Sequence, residues 1–255
     1  MTMNLNDNQD EVRIWRTQSG HDLAYRQIAG AGPTVLWLGG FKSDMIGTKA
    51  QVLADVAMRA GFGFVRFDYF GHGATGGDWN AARVGLWRKD VLEVVDNLTQ
   101  GPLVVIGSSM GGWMTTLLMK DRPERIKGVG FIAPAPDFTH ELMLPNLNPE
   151  ERHALTVSGA FVMTGYDQDV TMSQVFFDEA KDHLVFGSPL TFDGPVRILH
   201  GMKDDVVPWS HGVKLAEHIS SNDVRVTLIK DGDHRLSGAE DLKLLTAMVQ
   251  ELITA

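Results

Sequence analysis

Five residues, Gly107-Ser108-Ser109-Met110-Gly111, hold the best place in this sequence for a nucleophile. The apolar run LVVI at 103–106 ends directly before them, and a helical pattern starts at Gly111. A serine on a tight strand-to-helix turn takes unusual backbone angles, so its neighbours two positions away must be small. Gly107 and Gly111 meet that need, and Gly112 lets the helix pack close to the sheet. Such a turn lifts the Ser109 hydroxyl above the sheet edge. It also aims the Met110 N–H and the positive end of the helix at developing negative charge. The plainer reading is a glycine-rich helix start that Ser108 and Ser109 merely cap.

A serine hydroxyl is a weak nucleophile at its free pKa and needs a base. Of the nine histidines, His234 follows the strand-like run VRVTLI at 224–229, on a loop leading into the last helix. That puts it at the same sheet edge as Ser109. His200 and His72 are expected to shape turns, and His21, His140, His153, His183, His211 and His218 to be solvated. The base needs a carboxylate to orient it and to stabilise the imidazolium. Asp204 and Asp205 stand side by side one strand before His234. Adjacent carboxylates point different ways, so only one of them can serve; the bland alternative is a solvated acidic loop. An oxyanion site needs a second donor, and the loop Gly39-Gly40-Phe41 after TVLWL offers the Phe41 N–H. Asp68 is expected to bind local backbone. Met110, Met114 and Met119 are expected to be core packing.

These residues need strands and helices to hold them. Segments 11–17 and 22–28 alternate apolar and polar residues around Gly20 and predict an antiparallel pair. Continuous apolar runs at 34–38, 64–68, 103–106, 128–133, 196–200 and 224–229 predict strands, several buried on both faces. Helical spacing predicts helices over 49–60 with Gly61 as the stop, around 87–98, from 111, after 210 and from 237 onward. Ser237 and Glu240 have the spacing of a capping box. Alternating strands and helices imply one α/β domain over 1–255: a mostly parallel sheet with helices on both faces. Residues 136–189 break the rhythm. They are too apolar for a solvated loop and predict an inserted cap with short helices, such as 172–184. A peripheral helical pair with no part in the site is the alternative.

Composition sets the outer limits. With 44% hydrophobic and 22% charged residues, the chain is an ordinary globular protein. Its 32 acidic and 23 basic residues give a formal charge of -9 without a basic block, which disfavours nucleic acid and anionic membranes as partners. The absence of Cys excludes thiolate catalysis and disulfides. No Gly-rich phosphate loop or metal-spaced ligand set is found, so neither a cofactor nor a metal is expected. The N-terminal segment is polar and acidic, and no apolar run is long enough to span a bilayer. A cytoplasmic protein without stable membrane insertion is expected.

On Ser109, His234 and the Asp204–Asp205 segment the chain resembles the α/β-hydrolase superfamily over nearly its whole length. Further blocks, GTKA at 47–50, RFDY at 66–69, WRKDVL at 87–92, GSSMGGW at 107–113, HGMKDDVVPW at 200–209 and DHR at 233–235, resemble one branch of it. That branch is the mitochondrial palmitoyl-protein thioesterase, also described as an acyl-glucuronide esterase. The resemblance implies Ser109 as nucleophile, His234 as base and, in the HG-x-x-D-x-x-V-P pattern, Asp204 as the orienting carboxylate. It implies hydrolysis of acyl thioesters or carboxylic esters through an acyl-enzyme, with Phe41 and Met110 as the oxyanion donors and no cofactor. The apolar cap, with Leu142, Leu144, Phe161, Met163, Phe176 and Phe177, predicts an acyl chain as the acid portion. The alternatives are a small-ester carboxylesterase, a C–C bond hydrolase, or a noncatalytic ligand-binding protein of the same fold.

Overall fold

The computed structural model describes residues 10–164 and 169–255. Most of the N-terminal segment (1–9) and four residues of the expected cap (165–168) lie outside that description.

Side chains alternate across a strand, so a run buried on both faces must feed two cores. Strand β3 (Ala31–Leu38) does so: Leu36 and Leu38 enter one apolar cluster, Val35 and Trp37 the other. The chain reaches it through β1 (Arg13–Arg16) and β2 (Asp22–Ile28), an antiparallel pair. Helix α1 (Thr48–Ala60) follows and buries Leu53, Val56 and Ala57 in the second cluster. It stops at Gly61, whose φ of 77° suits a residue without Cβ. Strand β4 (Phe62–Phe67) pairs with β3 in parallel.

On the other face, α2 (Val84–Leu98) buries Trp87, Val91, Val94 and Val95 in the first cluster. Strand β5 (Leu103–Ser108) again splits its residues, Leu103 and Val105 to one cluster, Val104 and Ile106 to the other. Helix α3 (Met110–Asp121) packs Met110, Trp113, Met114, Leu117 and Met119 into the first cluster, as its apolar surface requires. Strand β6 (Ile126–Ile132) completes this half.

Residues 136–189 then depart from the alternation. They form a π-helical turn (Thr139–Met143), the short helix α4 (Leu144–Asn146), α5 (Pro149–Ser158), an antiparallel pair β7 (Ala160–Met163) and β8 (Val170–Ser173), and α6 (Gln174–Ala180). The expected helix over 172–184 therefore starts two residues late. Met172 sits opposite Phe161 in the strand pair, and the Ser173 hydroxyl caps α6 by accepting from the Phe176 N–H.

The chain closes with β9 (Val196–Gly201), α7 (Trp209–His218), β10 (Val224–Ile229) and α8 (Ala239–Thr254). The expected Ser237–Glu240 capping box does not form, and the N-cap is Gly238. Asp241 accepts from the Gly238 N–H, while Ser237 donates to the Arg235 carbonyl. The main sheet has the order β1-β2-β4-β3-β5-β6-β9-β10, parallel from β4 to β10. From β3 the chain goes to β4 on one side and later to β5 on the other. The carboxyl ends of β3 and β5 thus flank a switch point where a crevice opens.

Candidate active site

Ser109 stands at that crevice, between the last residue of β5 and the first of α3, with φ 53° and ψ -118°. Only a held turn keeps an L-residue there, at a cost of about 1–3 kcal/mol. Its N–H donates to the Ile132 carbonyl at 2.9 Å, and its carbonyl accepts from Gly112 at 2.8 Å and Ala135 at 3.0 Å. The glycines are needed for space. A Cβ on Gly111 would strike the Leu38 and Gly39 carbonyls, one on Gly107 the Thr115 hydroxyl and Gly111, and one on Gly112 Pro134.

His234 comes from the loop between β10 and α8. The Asp233 carboxylate folds that loop by accepting from the Arg235 N–H at 3.0 Å and the Leu236 N–H at 2.9 Å. The Lys49 ammonium holds it from α1 by donating to the Arg235 carbonyl. Asp204 lies in the β9–α7 loop, where Oδ1 accepts from the Val206 and Val207 N–H groups at 2.9 and 2.7 Å. Its Oδ2 accepts from His234 Nδ1 at 2.7 Å, which leaves Nε2 to accept from the Ser109 hydroxyl at 3.1 Å. Burial would push the Asp204 carboxyl up. Hydrogen bonds from His200, His234 and the Val207 N–H outweigh it and hold the group well below the usual carboxylate range. A hydroxyl on an imidazole that is itself held by an ionised carboxylate can pass its proton to the ring as the oxygen attacks an electrophile. Asp205 is exposed.

A cavity of about 70 Å³ lies beside Ser109. Phe41 and Met110 line it, with Ala135, Phe138, Leu142 and Met143 from the far side of β6, and Val206 and Val207 from the Asp204 loop. Gly40 brings the β3 loop so close that a Cβ there would lie 3.4 Å from the Ser109 Cβ. All five expected site residues therefore gather at one crevice. Val206, Val207, Ala135 and Phe138 were not singled out by the sequence patterns, although the two valines share the segment that carries Asp204. Of the apolar residues expected to face Ser109, Leu142 does. Phe161, Phe176 and Phe177 pack on one another instead.

The other polar expectations divide. Asp68 binds local backbone at the Ala74 N–H, 2.7 Å away, and also accepts from the distant Met45 N–H at 2.6 Å. His72 sits in a turn, bonded to the Phe70 carbonyl, while His200 is still within β9 and bonds the Val207 carbonyl of the loop that follows. His211 is not solvated: it is buried and donates to the Pro136 carbonyl at 2.8 Å. His21 and His183 are partly buried against Asp90 and Glu179. For His211 and His21 a tertiary partner, invisible in the local sequence, replaces water; for His183 the partner is one helical turn away. Among the described residues no group of three or more His, Asp or Glu side chains is placed to hold a metal ion, and no helix is long and apolar enough to cross a membrane.

Comparison with known proteins fits this geometry. A family model described as serine aminopeptidase, S33, of the Hydrolase_4 group matches residues 34–185. The palmitoyl-protein thioesterase ABHD10, mitochondrial, of Bos taurus is 35% identical over 237 residues, which are 91% of this chain and 76% of that protein. The chain belongs to the α/β-hydrolase family. It is a serine hydrolase. Two solved α/β-hydrolase structures are similar over almost the whole length. A putative hydrolase from Agrobacterium vitis S4 has TM-score 0.90 and 34% identity, covering 96% of this chain and 99% of that one. The α/β hydrolase domain-containing protein 10 from mouse has TM-score 0.88 and 33% identity, covering 96% and 98%.

Proposed function

We propose that this α/β-hydrolase cleaves carboxylic esters or thioesters by way of an acyl-enzyme on Ser109, with His234 as general base and Asp204 as its orienting carboxylate. The observation that carries the reading is the continuous relay from Asp204 Oδ2 to His234 at 2.7 Å and from His234 Nε2 to the Ser109 hydroxyl at 3.1 Å. His234 takes the hydroxyl proton as Oγ attacks the carbonyl carbon. The oxyanion accepts from the Met110 N–H, which as the first of its helix has no intrahelical acceptor, and from the Phe41 N–H. Collapse breaks the bond to the leaving group. His234 gives its proton to a departing alkoxide as the bond breaks, and to a departing thiolate or to solvent once it has left, so the ring is neutral again. Water then enters, His234 takes its proton, and a second tetrahedral intermediate releases the acid and restores Ser109. Asp204 stays ionised throughout.

Residues 136–189 act in this reading as a cap on a single α/β domain, since Phe138, Leu142 and Met143 cover the cavity. The name of the Bos taurus relative brings thioesters into the substrate class. The cavity argues for a short acid portion. It is only about 70 Å³ in volume, and Phe138, Leu142 and Met143 line it. A small-ester hydrolase is thus favoured over one for long chains while the π-helical turn at Thr139–Met143 stays where it is.

Labelling tests the nucleophile. A fluorophosphonate should modify Ser109 stoichiometrically and stop turnover of an aryl ester. Ser109→Ala should fold, lose the label and lose turnover by about a thousandfold or more. Label recovered on Ser108 in that variant would remove Ser109 from its role.

A further inference from the structure

The reaction as written leaves one buried polar side chain at the site unused. His200, in the penultimate position of β9, is completely enclosed. Its Nε2 lies 3.0 Å from the Val207 carbonyl oxygen and 3.3 Å from Asp204 Oδ2. Both neighbours are acceptors, so the ring proton is on Nε2 and is shared between them. Nδ1 is buried with no hydrogen-bond partner among the described residues, and it faces Gly212 of α7, where a Cβ would lie 2.5 Å away. The packing therefore fixes this ring in place. Asp204 in turn accepts from four groups: two backbone N–H groups on Oδ1, and two imidazoles on Oδ2.

We propose that His200 is a positioning residue for hydrolysis: by donating to the same Asp204 oxygen that holds His234, it fixes the carboxylate's rotation and limits the proton affinity that Asp204 lends to His234. The proposal rests on the Ser109–His234 reading above. An oxygen shared by two N–H donors gives less to each. With His200 gone, the whole of Oδ2 turns to His234, its imidazolium is favoured, and the base stays protonated to higher pH. The rival role is structural only, in which His200 merely ties the β9–α7 loop through the Val207 carbonyl.

Other charged groups face this pair. Asp233 and Arg235 flank His234 on its own loop, and Lys49 reaches that loop from α1. His211 faces His200 from α7, and burial pushes it down. Burial also lowers Lys49, to about 8, so Lys49 titrates on the alkaline side. The acid limb of kcat/KM reports the base of the free enzyme, and on this reading that base is His234.

The test is the pH profile of kcat/KM for p-nitrophenyl butyrate in wild type, His200→Phe and His200→Gln, with Ser109→Ala alongside. His200→Phe keeps the ring volume without a donor. It should move the acid limb up by about half to one pH unit, a loss of roughly three- to tenfold on that limb, carried by kcat with KM unchanged. His200→Gln puts an amide N–H near the former Nε2 position and should return the limb toward wild type. If His200→Phe does not fold, His200→Asn, smaller and too short to reach Asp204, carries the same expectation. An unmoved limb in the Phe or Asn variant, with only a lowered Tm, leaves His200 as a loop tie and overturns the proposal. Turnover retained by Ser109→Ala overturns the Ser109–His234 reading itself, and the proposal with it.

Discussion

At the scale of single residues, the sharpest contrast is between two neighbours of the same type. Asp204 is enclosed and accepts from His234, while Asp205 is exposed. Asp204→Asn should cost about ten-thousandfold in kcat, because an amide favours the wrong imidazole tautomer. Asp205→Asn should cost less than about threefold. Steady-state kinetics on one aryl ester decides it, and a reversal of the two effects would move the orienting role to Asp205. Residue type alone leaves the choice open, since DD reads alike in either order, and only the resemblance to a family pattern picked Asp204; what separates the two physically is the backbone N–H pair at Val206 and Val207 that captures one carboxylate. His72 makes a prediction of another kind. Burial pushes it down to about 4, the Phe70 carbonyl only partly opposing this, and its Nε2 has no hydrogen-bond partner among the described residues. Its folded pKa lies below the unfolded value of about 6.5, so the unfolded chain binds the extra proton between those values. The stability it contributes is complete above about pH 6.5 and declines as pH falls toward 4, by up to about 3 kcal/mol. Urea unfolding at a series of pH values should show that slope, and His72→Gln should flatten it. An unchanged slope would place the acid sensitivity elsewhere.

At the scale of elements, the strands were legible because two faces of burial write continuous apolar runs. β10 was met residue for residue, and β9 to within one. The turn at Ser109 was legible because its constraint is local: a strand end, a positive φ, and glycines where neighbours close in. The insertion was legible only as an interruption. Its strand pair depends on Phe161 meeting Met172, and nothing in either four-residue segment declares the partner. The last helix starts at Ala239 because Gly238 takes the cap position while the Ser237 hydroxyl donates to the Arg235 carbonyl. The turn glycines allow a test of why they are there. Gly111 lies within a helix, with ordinary φ but no room, since a Cβ would meet the Leu38 and Gly39 backbone. Gly159 has φ 71° and open space around it. Gly159→Ala should therefore cost only about 1–2 kcal/mol of left-handed strain. Gly111→Ala must part α3 from β3 and should cost more than about 3 kcal/mol or prevent folding. Denaturant unfolding of both compares room against conformation. Equal costs would mean that the elbow backbone yields and is not close-packed.

At the scale of the whole molecule, the sheet order joins three distant loops at one edge, and this is why residues 109, 204 and 234 could be linked from sequence at all. Parallel strands share their carboxyl ends, so any strand-end loop on β3, β5, β9 or β10 competes for the same crevice. The size of the cavity was not legible in this way. It depends on how the insertion packs, and large apolar residues in a cap can line a pocket or fill it. Here they do both: Leu142 and Met143 line it, while Phe161, Phe176 and Phe177 are spent on each other. Substrate preference should follow that division. Each methylene that enters a dry wall contributes about 0.8 kcal/mol, roughly fourfold in kcat/KM. A cavity of about 70 Å³ leaves room for only a short chain, with Leu142 and Met143 of the π-helical turn in its wall. Across matched thioesters and aryl esters from C2 to C16, kcat/KM should therefore climb by about tenfold or more to a maximum near C4 to C6 and then level or fall. Leu142→Ala shortens the residue at the cavity wall and should shift the maximum toward longer chains, without a large change at C2. The measurements belong below the micelle concentration of each ester. A maximum at C2 would show that the apolar wall takes no acyl group. A climb unbroken to C16 would show that the cap swings open in solution, and the structure's small cavity would then be its resting form, not its working one.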